Sequence, residues 1–211
     1  IGLSLLSNLT AYDFGYITAE EMLFRCKNTI QTLHKMDRYR GHFYNWYDTR
    51  DLTILSPAYI STVDSGNLVG HLLILKQGIL GLKSKPIFNP ESYNGLYATI
   101  GIIKDLLKNN KNENIESIER IIIEAIDEKN QTLSIIKQNW DNLIDLSNKL
   151  TGLDENLEIG KWRLKLKKQI ENIHENLYNQ IPWLNLLPIP DVLINLSKLN
   201  FDYPNLQKHI R

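Results

Sequence analysis

The stretch from Tyr39 to Gly70 reads YRGHFYNWYDTRDLTILSPAYISTVDSGNLVG, and it is the part of the chain that helix packing alone does not explain. It separates two runs of apolar residues at helical spacing, and Pro57 prevents a helix from continuing through its middle. Long connections of this kind in compact domains are commonly binding or active-site loops. The sequence therefore predicts a functional loop between two helices.

The loop mixes flat apolar rings with hydrogen-bonding side chains. The rings belong to Phe43, Tyr44, Trp46 and Tyr47, and the polar groups to Asn45, Asp48 and Arg50. Sugars present C–H patches that stack on aromatic faces and hydroxyls that need directed partners, so one interpretation is a carbohydrate site. The other interpretation is a structural aromatic cluster, and the residue pattern alone leaves both open.

Two motifs carry a family resemblance. GHFYNWYDT at residues 41–49 and YISTVDSGNLVGHL at residues 59–72 closely resemble a signature of the bacterial cyclic β-1,2-glucan synthases. The resemblance extends upstream to IGLSLLSNLTAYDFGYIT at residues 1–18 and downstream to about Gly81. Those synthases are large, multi-domain inner-membrane enzymes, and this chain resembles the beginning of their middle, glucoamylase-like domain.

The resemblance implies an all-α fold that is part of an (α/α)6 toroid. Helix hairpins would carry one long aromatic-rich loop and would be followed by a long-helix bundle. Because 211 residues are too few for six helix pairs, we expect a fragment of a larger protein. Residues 1–83 would form a helix hairpin, the loop and a third helix, and residues 84–211 a helical segment with one long helix over about 115–150.

The implied function is that of the domain that binds β-1,2-glucan and cyclises it by transglycosylation, within a parent glycosyltransferase. The resemblance places the catalytic residues outside this chain, so the fragment alone is expected to be inactive. The substrate-binding residues that it implies are Phe43, Tyr44, Asn45, Trp46, Tyr47, Asp48, Arg50, Asp64 and Asn67. His42 and His71 flank the loop and are further candidates for contact with substrate.

Residues typical of helix ends lie before and after the loop. Thr18 and Glu21 fit a capping box at the start of the helix before it. The helix after the loop is predicted to open at Asp64–Asn67, where Asp64 or Ser65 has a second interpretation as its N-cap. Its glycines predict that another element packs closely against it. Further on, Gly152 predicts the end of the long helix, and additional helices are predicted over about 157–179 and 191–199.

The composition of the chain argues against two classes of binding partner. The 24 basic and 24 acidic residues balance, which argues against a nucleic-acid or anionic-membrane partner. The most apolar run, Leu72 to Leu82, is shorter than the roughly 20 residues that cross a bilayer, so we expect a soluble piece without direct membrane contact. By resemblance, its parent lies in the bacterial inner membrane with this domain on the cytoplasmic side. The expected partners are β-1,2-glucan chains and the parent's other domains.

The catalytic and metal-binding motifs that the sequence lacks limit the reactions that we expect of it. The chain has no glycine-rich phosphate loop, HExxH or paired CxxC motif, so neither cofactor nor metal is expected. Its single cysteine, Cys26, excludes an internal disulfide and is expected to be a buried thiol. Glycoside hydrolysis needs two facing carboxyl groups, and Asp48 and Asp64 are the only ones within the motifs.

Two alternative functions remain. Residues 90–180 would be a helical interaction module that docks the other domains of a large membrane glycosyltransferase, in which case an apolar stripe would stay exposed. An independent glucoamylase-like glycoside hydrolase would need a complete carboxylate pair within the chain.

Overall fold

A computed structural model describes residues 1–108, 110, 112–128, 131–150 and 157–186. These residues form an all-α fold with one small β-hairpin, which confirms the all-α part of the prediction. The elements are α1 (Gly2–Asp13), α2 (Ala19–Lys35), β1 (Arg38–Tyr39), β2 (His42–Phe43), α3 (Thr62–Gly81), α4 (Glu91–Leu107), α5 (Glu113–Asp127), α6 (Leu133–Asn148) and α7 (Leu157–Gln180), with short 3-10 turns at Leu82–Ser84 and Pro182–Leu186. The chain divides into two compact units, residues 1–91 (unit 1) and 92–211 (unit 2).

Unit 1 is a three-helix cluster in which α1 packs against both α2 and α3. Its α2 begins as predicted, because the Glu21 amide donates to Thr18 Oγ1 at 3.1 Å. The buried core includes Leu5, Met22 and Cys26. Cys26 is a free, buried thiol, as expected, and its burial raises the pKa of that thiol.

The start of α3 differs from the prediction. The helix begins at Thr62 and its N-cap is Ser61, whose Oγ accepts the Asp64 amide at 3.1 Å. Neither Asp64 nor Ser65 is the cap. Ser61 offers the same capping chemistry one turn earlier, so the sequence carries several competing start signals and the first of them is used. Asp64 then lies in the first turn, where its negative charge suits the positive end of the helix dipole.

Only one side of α3 is covered within unit 1. Leu75 is buried, whereas Leu73, Ile74 and Val69 are exposed. Close packing at a glycine occurs at Gly78, where an added Cβ would lie 2.6 Å from the Leu9 side chain of α1. At the other α3 glycines, Gly66, Gly70 and Gly81, no described atom apart from the adjoining residues and the nearby backbone of the helix itself lies within 4 Å of the position that a Cβ would take.

Unit 2 contains a correction to the predicted long helix over 115–150. Two helices, α5 and α6, occupy that range and pack against each other. Thr132 is the N-cap of α6 and its Oγ1 accepts the Ile135 amide at 3.3 Å, while the Gln131 amide group donates to the Ala125 carbonyl at the end of α5. The apolar residues keep their helical spacing across this break, so periodicity alone could not predict that a new helix starts at Leu133.

The core of unit 2 is built around Trp140 of α6. Its fully buried ring stacks on Tyr93 of α4, with 5.4 Å between the ring centroids. The helix predicted over about 157–179 is present as α7, which packs against α6. Gly152 and the helix predicted over 191–199 lie outside the described residues. None of the described helices is long and apolar enough to cross a bilayer.

Candidate functional site

The loop between α2 and α3 is held by backbone hydrogen bonds between two limbs, residues 42–48 (the first limb) and 53–65 (the second limb). The Asn45 amide donates to the Tyr59 carbonyl at 2.8 Å, and the Asp48 amide donates to the Thr53 carbonyl at 2.8 Å. Between them, the Leu55 amide donates to the Trp46 carbonyl at 3.1 Å. The loop is therefore an ordered scaffold for its side chains.

A small β-hairpin leads into the first limb. Strands β1 and β2 pair antiparallel and are joined by Arg40 and Gly41, whose φ angles are 50° and 88°. Two consecutive positive φ angles are typical of the type I′ turn, in which glycine is favoured at the second position. These strands could not be predicted from the sequence, because two-residue strands carry no measurable alternation of apolar and polar residues.

Two of the predicted site residues use their polar atoms to hold the loop together. Asn45 Oδ1 accepts the Ser61 amide of the second limb at 3.1 Å. The Tyr47 hydroxyl accepts the Tyr44 amide at 2.8 Å and donates to the Asp37 carbonyl at 2.7 Å. Asn45 and Tyr47 thus position the loop backbone.

The aromatic rings divide into a partly buried and an exposed group. The Arg38 guanidinium lies 5.0 Å from the Phe43 ring centroid, and Tyr44 packs edge-on against Tyr47 at 6.3 Å. By contrast, Trp46 is 51% exposed and Tyr59 is 53% exposed. These two rings stack with centroids 6.2 Å apart and an interplanar angle of 29°. We call the pair the exposed ring pair.

Tyr59 was not among the predicted site residues. Its contribution depends on the pairing of the two limbs, which brings residues thirteen positions apart into ring contact. The signal that was available is its position two residues after Pro57, at the start of the second motif.

The tip of the loop carries an ion pair. Asp48 Oδ1 accepts the amide and the Nε of Arg50 at 2.9 and 3.0 Å, and Asp48 Oδ2 accepts from Nη2. The side-chain hydrogen bonds from Arg50 are the main reason that the pKa of Asp48 lies below its usual value, and the bond from the Arg50 amide adds to the effect. Asp48 is thus a fixed anion, and the Arg50 side chain is largely exposed.

Three of the remaining predicted residues lie on α3. Asp64 and Asn67 are exposed in its first two turns. His71 faces α1, since a Cβ added to Gly2 of α1 would clash with His71 Nδ1. At the start of the first limb, His42 Nδ1 lies 3.0 Å from Ser65 Oγ.

The two motif carboxylates occupy opposite ends of the paired limbs. Asp48 lies at the tip beside Arg50, whereas Asp64 lies at the α3 end. A glycosidase pair flanks a single scissile bond.

Among the described residues, no group of three or more histidine, cysteine, aspartate or glutamate side chains could hold a metal ion.

Each unit also has one open depression on its surface. One, of about 730 Å³, is lined by α6 and α7 residues that include Ile144, Lys167 and His174. The other, of about 440 Å³, is lined by Leu3, Phe14 and other residues of α1 and the turn after it. Neither is lined by a loop residue.

No family model matches the chain. A curated protein does: the cyclic beta-(1,2)-glucan synthase NdvB of Rhizobium meliloti (strain 1021) is 34% identical over 141 residues, which is 65% of this chain. The two sequences are homologous. This match confirms the resemblance that the loop motifs indicated. The matched stretch of 141 residues is longer than the segment 1–83, so the similarity to NdvB also reaches beyond residue 83. The chain spans only 5% of the length of NdvB.

Proposed function

We propose that this chain is part of a cyclic β-1,2-glucan synthase, from the domain that binds β-1,2-glucan and cyclises it by transglycosylation. Its homology to NdvB supports a glucan as the substrate of the parent enzyme. As parts of the same proposal, the complete domain is an (α/α)6 toroid, and its parent lies in the inner membrane with this domain on the cytoplasmic side. The isolated chain is inactive. The catalytic residues would lie outside this chain.

The observation that carries the proposal is the exposed ring pair. Two large aromatic side chains, Trp46 and Tyr59, are about half exposed to solvent, although burial of such rings is strongly favourable. The backbone bonds between the limbs fix both rings, so their exposure follows from a built structure. An open, rigid aromatic surface suits the stacking of sugar rings along a chain.

Polar side chains at both ends of the paired limbs would orient the sugar hydroxyls. At the tip, Arg50 offers donors and Asp48 holds it in place. At the α3 end, Asp64 and Asn67 offer exposed acceptors and donors. Phe43, Tyr44, Asn45 and Tyr47 would act by supporting the loop.

The test is calorimetric titration of linear β-1,2-glucan oligosaccharides into variants of the chain and of the full-length protein that contains it. We expect Trp46→Ala and Tyr59→Ala each to weaken binding by about 5- to 30-fold, or about 1–2 kcal/mol. The matched controls are Trp183→Ala and Tyr97→Ala, because Trp183 is 51% exposed and Tyr97 is similarly exposed, but both lie in unit 2. Equal affinities for the Trp46 and Trp183 variants would refute the stacking role.

A docking role for unit 2 is the second candidate. Leu157 and Leu164 of α7 and Trp183 of the following turn are exposed, although the rest of the predicted apolar stripe is largely buried within the unit. Such side chains favour contact with another domain. Light scattering would test this role, since the docking module predicts association that increases with protein concentration, whereas a monomer at all concentrations would count against it.

A further inference from the structure

His42 is held at the α3 end of the paired limbs. It belongs to β2 and is exposed, and its Nδ1 lies 3.0 Å from Ser65 Oγ across 23 residues of chain. Ser65 lies in the first turns of α3, so the position of the imidazole is tied to a helix rather than to the loop alone.

The hydrogen bonds of Ser65 determine which nitrogen of His42 carries the proton. The Ser65 hydroxyl lies 2.9 Å from the Ser61 carbonyl, which can only accept, so the hydroxyl proton points there. Ser65 Oγ therefore presents a lone pair to His42, and His42 Nδ1 must donate. A neutral imidazole with its proton on Nδ1 has an unprotonated Nε2, which is a hydrogen-bond acceptor.

The same second limb connects His42 to the exposed ring pair. Ser61 donates its amide to Asn45 Oδ1, accepts the Ser65 hydroxyl on its carbonyl and caps α3 with its side chain. Asn45 is the neighbour of Trp46 and also donates its amide to the Tyr59 carbonyl. His42 and Trp46 lie four residues apart on one limb, at most about 14 Å, which an oligosaccharide of a few units can bridge.

We infer that His42 is a ligand-binding residue of this loop, whose Nε2 accepts a hydrogen bond from a hydroxyl of a neutral glycan stacked on Trp46 and Tyr59, and that Ser65 is its positioning residue. The inference rests on the proposed function and deepens it. Because Nε2 of the neutral imidazole offers only a lone pair, it pairs with a hydroxyl donor and not with a carboxylate or phosphate oxygen. The site would therefore select neutral glucans over anionic polysaccharides.

The first part of the test reads the tautomer directly. We expect ¹⁵N NMR of the imidazole to report the Nδ1–H form of His42 in the unaltered chain and a loss of that preference in Ser65→Ala. Ser65→Thr, which keeps a hydroxyl, should restore it. An Nε2–H form in the unaltered chain would overturn the inference whatever the chain binds.

The second part measures the affinity of the full-length protein for linear β-1,2-glucan oligosaccharides. We expect a five- to tenfold loss for His42→Ala, a smaller loss for His42→Gln, which keeps an acceptor, and no change for the control His34→Ala on the exposed surface of α2. Ser65→Ala should lose affinity and Ser65→Thr should recover it, with melting temperatures unchanged.

The variants also separate this inference from the proposed function. If Trp46→Ala weakens binding and His42→Ala matches His34→Ala, the role of His42 is wrong and the ring pair stands. If the protein binds no glucan, or if none of these variants changes its affinity, the proposed function and the ligand role of His42 are both wrong.

Discussion

The two units bury their apolar side chains to different extents. Among the described residues, unit 2 has 19 buried hydrophobic residues and 8 large exposed ones, whereas unit 1 has 9 buried and 16 exposed. In unit 2 the helices present one apolar face each and turn it inward. In unit 1, α3 is apolar on most of its surface, and α1 covers only part of it.

This difference indicates that the sequence of unit 1 is suited to more neighbours than the described residues supply. A helix that is apolar all round belongs in the interior of a protein. Unit 1 also carries the exposed ring pair, so the part of the chain with the candidate site is the part with the less complete core. That combination supports the proposal that unit 1 is a piece of a larger helical domain.

The largest expected effect tests the closed core of unit 2. Trp140→Ala removes a fully buried ring that stacks on Tyr93, and we expect a loss of about 3–5 kcal/mol in the free energy of unfolding. The matched change in unit 1, Trp46→Ala, removes a half-exposed ring and should cost less than about 1 kcal/mol. Denaturant unfolding measures both, and equal losses would remove the contrast between the units.

A second pair of variants lies within α3. Leu75 is 2% exposed and Leu73 is 58% exposed, so Leu75→Ala should destabilise the chain by about 2–4 kcal/mol and Leu73→Ala by less than about 0.5 kcal/mol. In the full-length protein we expect the cost of Leu73→Ala to rise towards that of Leu75→Ala, because further helices would cover it. An unchanged cost in the full-length protein would contradict the larger domain.

These contrasts also show what the sequence could and could not predict. The all-α class was implied by the family resemblance, whereas the cap at Thr18 and the position of the loop followed from capping chemistry and helical periodicity. The break between α5 and α6 was missed because apolar spacing continues across Thr132. Tyr59 was missed because its role depends on a ring contact between limbs, and the predicted roles of Asn45 and Tyr47 omitted their bonds within the loop, for the same reason.

A smaller effect is expected at the hairpin turn before the first limb. Gly41 has a φ of 88°, so Gly41→Ala should cost about 1–2 kcal/mol through backbone strain alone, since the space around it is open. The control is Gly66→Ala in α3, which also meets open space but has a helical backbone and should gain about 0.5–1 kcal/mol. Thermal unfolding should show shifts of opposite sign; shifts of the same sign would contradict the turn geometry.

The smallest effect concerns Asp141 of α6, which accepts hydrogen bonds from Lys137 and from His174 and Tyr178 of α7. Burial raises the pKa of Asp141, but these bonds outweigh it, so the pKa lies below the ordinary 3.8. Asp141 thus stabilises the folded state above pH 3.8 and loses that contribution as the pH falls through its lowered pKa.

Asp141→Asn should therefore cost unit 2 about 1 kcal/mol near neutral pH, since the site is partly exposed to water, and the cost should shrink in acid. The control is Asp145→Asn on the exposed side of the same helix, which should change little. Urea unfolding at several pH values measures this difference, and a cost that grows in acid would contradict the assignment.

The central claim is that unit 1 carries a binding surface for β-1,2-glucan. Its most direct test is calorimetric titration of the chain, and of the full-length protein, with linear β-1,2-, β-1,3- and β-1,4-linked gluco-oligosaccharides of equal length. We predict saturable binding of the β-1,2-linked series, weakened by Trp46→Ala and unaffected by Trp183→Ala. Equal binding of all three linkages, or no binding of β-1,2-glucan by either protein, would contradict the claim.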